Sequence, residues 1–185
     1  MRSRPTLLIA AGLLAVQACE AQPPDLGGPP GDGADAGGSD YADLIVSFTE
    51  DGVTQTCGEV GTAVCGAQTG NCMDHPALGA PDAIVYELEP GGLLEVAFVC
   101  RPILDRVDGD TPIPDFRVLA SGASDSNFGV IEISRDGDVY QSLGNLIRAD
   151  QEFHITDTGF DYVRFIRISG APTAAIQIDA IEALR

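Results

Sequence analysis

The chain has 185 residues, 28 of them acidic and 10 basic, for a formal net charge of −18 at pH 7. Every base is arginine, and lysine is absent. Such a surface repels nucleic acid and anionic membrane, so recognition through a basic patch is excluded, and it suits surroundings rich in salt or divalent cations.

Arg2 and Arg4 open the chain, and the apolar run LLIAAGLLAV follows at residues 7–16. A permanent membrane span needs roughly 20 apolar residues, so this shorter run predicts an export signal over residues 1–18. It ends in VQAC, residues 16–19, which resembles the lipobox of bacterial lipoproteins, with Gln17 where a small residue is usual. Cleavage before Cys19 and diacylation of that residue would anchor the chain in the bacterial cell envelope, at the outer membrane or cell surface. Membrane contact is then expected through the N-terminal lipid alone. The alternative is an ordinary secretory signal cut near Ala21, with Cys19 lost. Residues 19–40 are dominated by Pro, Gly, Asp and small side chains. They hold too little apolar surface to offset the entropy of ordering, which predicts a flexible tether. The folded domain is expected over residues 41–185, and without Arg2 and Arg4 eight arginines face all 28 acids.

From Tyr41 onward the pattern has a period of two, with turn residues between short runs. DLIVSFT (43–49) predicts the first strand. Residues 51–74 read as irregular and carry Cys57, Cys65 and Cys72. With Cys100 these form an even set in an exported chain, which predicts two disulfides of undetermined pairing. The competing zinc site would need a ligand spacing that CGEVGTAVC lacks, and His75 is its only nearby histidine.

LLEVAFVC (93–100) and DFRVLAS (115–121) predict further strands. Residues 129–144 predict a hairpin joined at Arg135-Asp136-Gly137, where Asp-Gly supplies the positive φ of a tight turn. FHIT (153–156) follows, with His154 read as a sheet residue. DYVRFIRIS (161–169) reads as a central strand, apolar on both sides. Tyr162, Arg164, Ile166 and Ile168 lie on one face and Val163, Phe165, Arg167 and Ser169 on the other, with each arginine near an edge of the buried area. In AIQIDAIEAL (175–184), the β-branched Ile176, Ile178 and Ile181 favour a strand over a short helix. About seven or eight strands at this spacing predict an all-β chain folded as an antiparallel β-sandwich.

Six phrases now stand in order: ALGAPDA (77–83), GGLLEVAF (91–98), PILDRVDGDTPIPDFRVL (102–119), GVIEISRDGDVY (129–140), FDYVRFIRIS (160–169) and IDAIEAL (178–184). Together they resemble the discoidin-like, galactose-binding-like jelly-roll β-sandwich of bacterial cell-surface proteins and lipoproteins, over residues 75–184. Leu119-Ala120 departs from the aromatic and Glu common there, and the cysteine-rich segment is extra.

The resemblance implies a structural calcium ion held by Asp82 and by Asp179 or Glu182, with the carbonyls of Leu78 and Ala80 completing the shell. Calcium takes about 6–8 oxygens and accepts carbonyls readily, so a proline-stiffened loop suits it. The alternative is that Asp82 only caps a turn and Glu182 faces solvent. Asp105, Asp108, Asp110 and Asp115 form a second acidic stretch. It has no flanking helices and no Glu at the twelfth position of a calcium loop, so it reads as solvated.

The resemblance also implies a non-catalytic binding or adhesion module whose partner is a carbohydrate or a surface protein. Tyr86, Tyr140 and Phe128 are the aromatics near predicted loops that would stack on a sugar ring. Neither GxSxG, HExxH nor a glycine-rich phosphate loop occurs, and His75 and His154 are the two histidines, so the reading is not an enzyme. The alternative function is a structural envelope lipoprotein or protein-interaction module without a glycan ligand.

Overall fold

The computed structural model describes residues 40–57, 72, 75–121, 129–146 and 150–185. The expected signal at 1–18, Cys19, the tether up to residue 39, Cys65 and Phe128 lie outside the described residues. In chain order the strands are β1 (Leu44–Glu50), β2 (Val53–Thr56), β3 (Tyr86–Leu88), β4 (Leu93–Ala97), β5 (Ile103–Leu104), β6 (Val107–Asp108) and β7 (Thr111–Pro112). They continue as β8 (Phe116–Ser121), β9 (Gly129–Ser134), β10 (Gln141–Leu146), β11 (Gln151–Phe153), β12 (Tyr162–Val163), β13 (Phe165–Gly170) and β14 (Ile176–Ala183).

Two antiparallel sheets form the expected sandwich. Their orders are β10-β9-β13-β4-β1-β2 and β11-β8-β14-β3, and β12-β5 and β6-β7 are short added ribbons. The alternating residues explain the layering. Leu94, Val96, Ile131, Ile133, Ile166 and Ile168 from the larger sheet meet Phe116, Val118, Ile176, Ile178 and Ile181 from the smaller one in a single core. Burying each such side chain contributes about 1.5–3 kcal/mol, so this layer is the main favourable term. β13 is central as expected, lying between β9 and β4.

The strands depart from expectation in several places with a clear cause. In β14, Ile176 and Ile178 are two apart but Ile181 is three beyond. A bulge between Ile178 and Ala180 absorbs the extra residue and keeps all three in the core. The expected strand 161–169 breaks at Arg164, so Val163, Ile166 and Ile168 all join the core. Arg164 does not sit at the edge of the buried area. It is buried, and its Nη1 donates to the carbonyls of Val99 (2.7 Å) and Phe98 (3.4 Å) beyond the end of β4. In the 51–74 segment, β2 replaces part of the expected irregular stretch. It pairs with β1 through Asp51-Gly52, both of positive φ, which is the two-residue turn chemistry expected at Asp136-Gly137.

The hairpin at 129–144 forms as β9 and β10, but residues 135–140 make a longer loop. Asp136 Oδ1 organises it, accepting hydrogen bonds from Ser134 Oγ (3.0 Å) and from the backbone N–H of Asp138 (2.9 Å) and Val139 (3.2 Å). The Asp138 amide is the main cause holding the Asp136 carboxyl below the ordinary carboxylate range. His154 follows β11 and is exposed, outside the sheet. Asp115 also departs from expectation: it is fully buried, not solvated.

Candidate functional site

Two places gather the polar side chains singled out above. At the first, the loop 75–83 meets the bulge of β14. The backbone N–H of Asp82 donates to Asp179 Oδ1 at 3.3 Å, and Asp82 Oδ1 accepts the N–H of Ile84 at 2.8 Å. The loop turns through Gly79 (φ 80°) and Ala83 (φ 66°), the second an unfavourable conformation for a residue with a Cβ. Asp82 and Asp179 therefore share one corner, and the bulge brings Asp179 to it. Glu182 is held elsewhere, its Oε2 accepting from Arg117 Nε at 2.6 Å. Among the described residues no three His, Cys, Asp or Glu side chains converge in a way that would hold a metal ion. Calcium takes about 6–8 oxygens, so the carboxylates of Asp82 and Asp179 would not enclose one by themselves.

The same loop buries its aromatic neighbours. Tyr86, a candidate for stacking on a sugar, is 8% exposed, and its hydroxyl donates to the Thr49 carbonyl. Its ring lies 5.9 Å from that of Phe48 and 4.6 Å from that of His75. Burial pushes its pKa up to about 12. Tyr86 is thus a core residue, packed against the rings of Phe48 and His75 and not presented to a ligand. Nearby, Cys57 and Cys72 are bridged with Cα atoms 5.8 Å apart. The pairing of Cys65 lies outside the described residues, and Cys100 is half-buried with its N–H donated to Asp43 Oδ2 at 2.9 Å.

The second place is the outer face of the six-stranded sheet. Three strands carry one charged residue between two fully buried apolar ones: Leu94-Glu95-Val96, Ile131-Glu132-Ile133 and Ile166-Arg167-Ile168. Register sets them side by side. Ser142, Glu132, Arg167, Glu95, Ser47 and Thr56 are successive partners across all six strands. Arg167 Nε donates to Glu132 Oε2 at 2.9 Å, and its guanidinium carbon lies 3.7 Å from the centroid of the Tyr140 ring. Tyr140 donates its hydroxyl to Glu95 Oε1 at 2.5 Å, and Ser47 Oγ donates to Glu95 Oε2 at 3.3 Å.

Desolvation works against the Arg167 charge, but Glu132, Tyr140 and Glu95 outweigh it and raise its pKa. Burial, and then Glu95, raise the pKa of Tyr140, so its hydroxyl stays protonated. The terminal nitrogens of Arg167 bond no described residue, and the side chain remains 28% exposed. A guanidinium held by stacking and one ion pair presents its remaining donors with little further entropy loss. Of this array the sequence reading singled out Tyr140 alone. The apolar-charged-apolar triplets, alternating in sign among Glu95, Arg167 and Glu132, were the available signal.

The fold and these sites define an all-β antiparallel sandwich with a polar array on one outer face. The chain matches no known family model, and neither the curated proteins nor the solved structures contain a match.

Proposed function

We propose that the chain is a lipid-anchored protein of the bacterial envelope whose galactose-binding-like sandwich is displayed at the surface and binds a ligand without catalysis. Carbohydrate is the ligand class, and a calcium ion steadies the loop 75–83. The observation that carries the ligand reading is Arg167, fixed on Tyr140 between Glu132 and Glu95 with its terminal nitrogens available. Donors and carboxylate acceptors side by side suit a hydroxyl, which both gives and accepts a hydrogen bond. A net negative array with one cation disfavours an acidic glycan and leaves neutral sugars.

A glycan array tests this reading. Arg167→Ala is expected to weaken binding by about tenfold, the effect of losing roughly 1.4 kcal/mol. Tyr140→Phe keeps the ring under Arg167 but frees Glu95, and a smaller loss is expected. Silence of the unaltered protein across neutral glycans would reject the carbohydrate reading.

Calcium would be held by Asp82 and Asp179 with the carbonyls of Leu78 and Ala80, and it would tie the loop to β14. At about 100 times its Kd, a bound ion stabilises by roughly 2.7 kcal/mol, which corresponds to several degrees in melting temperature. Asp82→Ala is expected to abolish that gain. A melting curve that excess chelator leaves unchanged would remove calcium from the reading.

A further inference from the structure

The two main sheets end in four edge strands, β2 and β10 on the larger and β3 and β11 on the smaller. An edge strand is a template for pairing with another chain, and folded proteins guard it with charges, prolines or bulges. β10 has a bulge between Ser142 and Gly144, β3 carries Glu87 and β11 carries Glu152. β2, which reads Val53-Thr54-Gln55-Thr56, has none of these, and all four of its residues are exposed.

The pairing with β1 decides which backbone groups of β2 stay open. Facing residues of an antiparallel pair alternate between those that exchange hydrogen bonds and those that do not. The Cys57 N–H donates to the Val46 carbonyl at 2.9 Å, and Glu50 pairs with Val53 across the two-residue turn. Val53, Gln55 and Cys57 therefore turn their N–H and C=O groups to β1, and Thr54 and Thr56 turn theirs away. The 3.1 Å approach of Thr49 Oγ1 to Thr54 Oγ1 fits the close side chains of a pair without backbone bonds. Among the described residues nothing bonds the outward N–H and C=O groups of Thr54 and Thr56.

We propose that a second copy of this chain pairs on this edge, β2 antiparallel to β2. The open residues are two apart with Gln55 between them. A two-fold axis at Gln55 sets Thr54 opposite the second copy's Thr56, and Thr56 opposite its Thr54. Each of these pairs exchanges two hydrogen bonds, which uses all four open groups of each copy. That self-complementarity selects a second copy as the occupant, and the six strands of each larger sheet become one continuous sheet. β2 itself is uncharged, so the net charge of −18 opposes approach without placing a charge in the contact. One short strand makes a small interface, so the dimer is weak, and salt strengthens it by screening like charges. The inference goes beyond the proposed function and depends on neither the glycan nor the lipid anchor, so either can fail alone.

Sedimentation velocity of the full chain over a concentration series tests it. A monomer–dimer equilibrium is expected, shifted toward dimer at high salt. Thr56→Pro removes an outward N–H that β1 does not use, and with it two of the four hydrogen bonds across the axis. The dissociation constant should rise by about tenfold or more while the melting curve stays unchanged. Gln55→Cys puts two thiols opposite each other at the axis, where facing Cα atoms are about 4.5 Å apart, so oxidation should link two copies. Glu87→Cys, on the edge of the other sheet, should stay unlinked. If Thr56→Pro lowers the melting temperature, the comparison of the two cysteine variants decides. A chain that is monomeric at every concentration in high salt would overturn the proposal. So would a dimer that a folded Thr56→Pro variant retains in full, or equal linking at both cysteines.

Discussion

Alanine in place of Asp115 is expected to lower stability by about 4 kcal/mol, read as a shifted urea midpoint with an unchanged slope. The residue is fully buried, and its two oxygens are divided between two segments. Oδ1 accepts the Arg106 N–H and Oδ2 the Ile155 N–H, each at 2.7 Å. Its own backbone adds two further ties, donating to the Phe153 carbonyl and accepting the Leu184 N–H, each at 2.8 Å. One side chain therefore pins the β5–β6 connection and the stretch after β11 to the start of β8.

Hydrogen bonds to a charged acceptor contribute roughly 1.5–3 kcal/mol each, and removing the acceptor leaves two N–H groups without a partner. Asp115→Asn keeps the shape but turns an NH2 toward one of those donors, so a loss of about 2 kcal/mol is expected. Burial raises the Asp115 pKa, with the two N–H groups pulling it back. The unfolded chain thus releases this proton first, and this residue makes stability fall as pH rises from the ordinary carboxylate value to the raised one. A midpoint unmoved by either substitution would show that the carboxylate does not hold these segments.

The second large effect has the opposite pH dependence. His75 is buried against Phe48 and Tyr86, with ring centroids 4.8 and 4.6 Å away. Its Nδ1 accepts the Ala77 N–H at 3.2 Å, which leaves the proton on Nε2, and Nε2 is buried with no hydrogen-bond partner among the described residues. Burial lowers its pKa from 6.5 to about 4. The unfolded chain then takes up a proton that the fold refuses. The contribution of His75 is whole above pH 6.5, is lost as pH falls toward 4, and changes no further below that. At about 1.36 kcal/mol per unit, the loss is roughly 3 kcal/mol.

Asn at position 75 keeps an acceptor for the Ala77 N–H and cannot take a proton. Urea unfolding of the two proteins at several pH values between 7 and 4 should therefore show a difference that narrows by that amount on acidification. The carboxylates titrate in both proteins and cancel. A constant difference across this range would mean that His75 is charged or solvated in the fold.

Much of the architecture was legible in local pattern. The period of two located β1, β4, β8, β9 and β14, and the apolar residues on both sides of 161–169 marked a central strand. The approach of the 75–83 loop to the last strand came only from the family resemblance and not from local pattern; the Asp82 N–H does donate to Asp179 Oδ1. The isolated reading of Asp-Gly was less reliable. The same dipeptide closes a two-residue turn at Asp51-Gly52 but sits in a longer loop at Asp136-Gly137, where a side-chain carboxylate captures the backbone donors instead.

By itself, the sequence determined that the chain is all-β, that its surface is acidic and which residues alternate toward an apolar layer, because these depend on side-chain chemistry and a two-residue repeat. Tertiary structure alone decided which of those residues meet. Tyr86 went into the core, Glu182 went to Arg117, and Glu95 and Arg167 were brought from distant strands to one face beside Glu132 and the loop residue Tyr140. The reason is register. A one-residue bulge or break, as at Asp179 and Arg164, reverses every side chain beyond it, and the pairing of distant strands follows from the energy of the packed core as a whole.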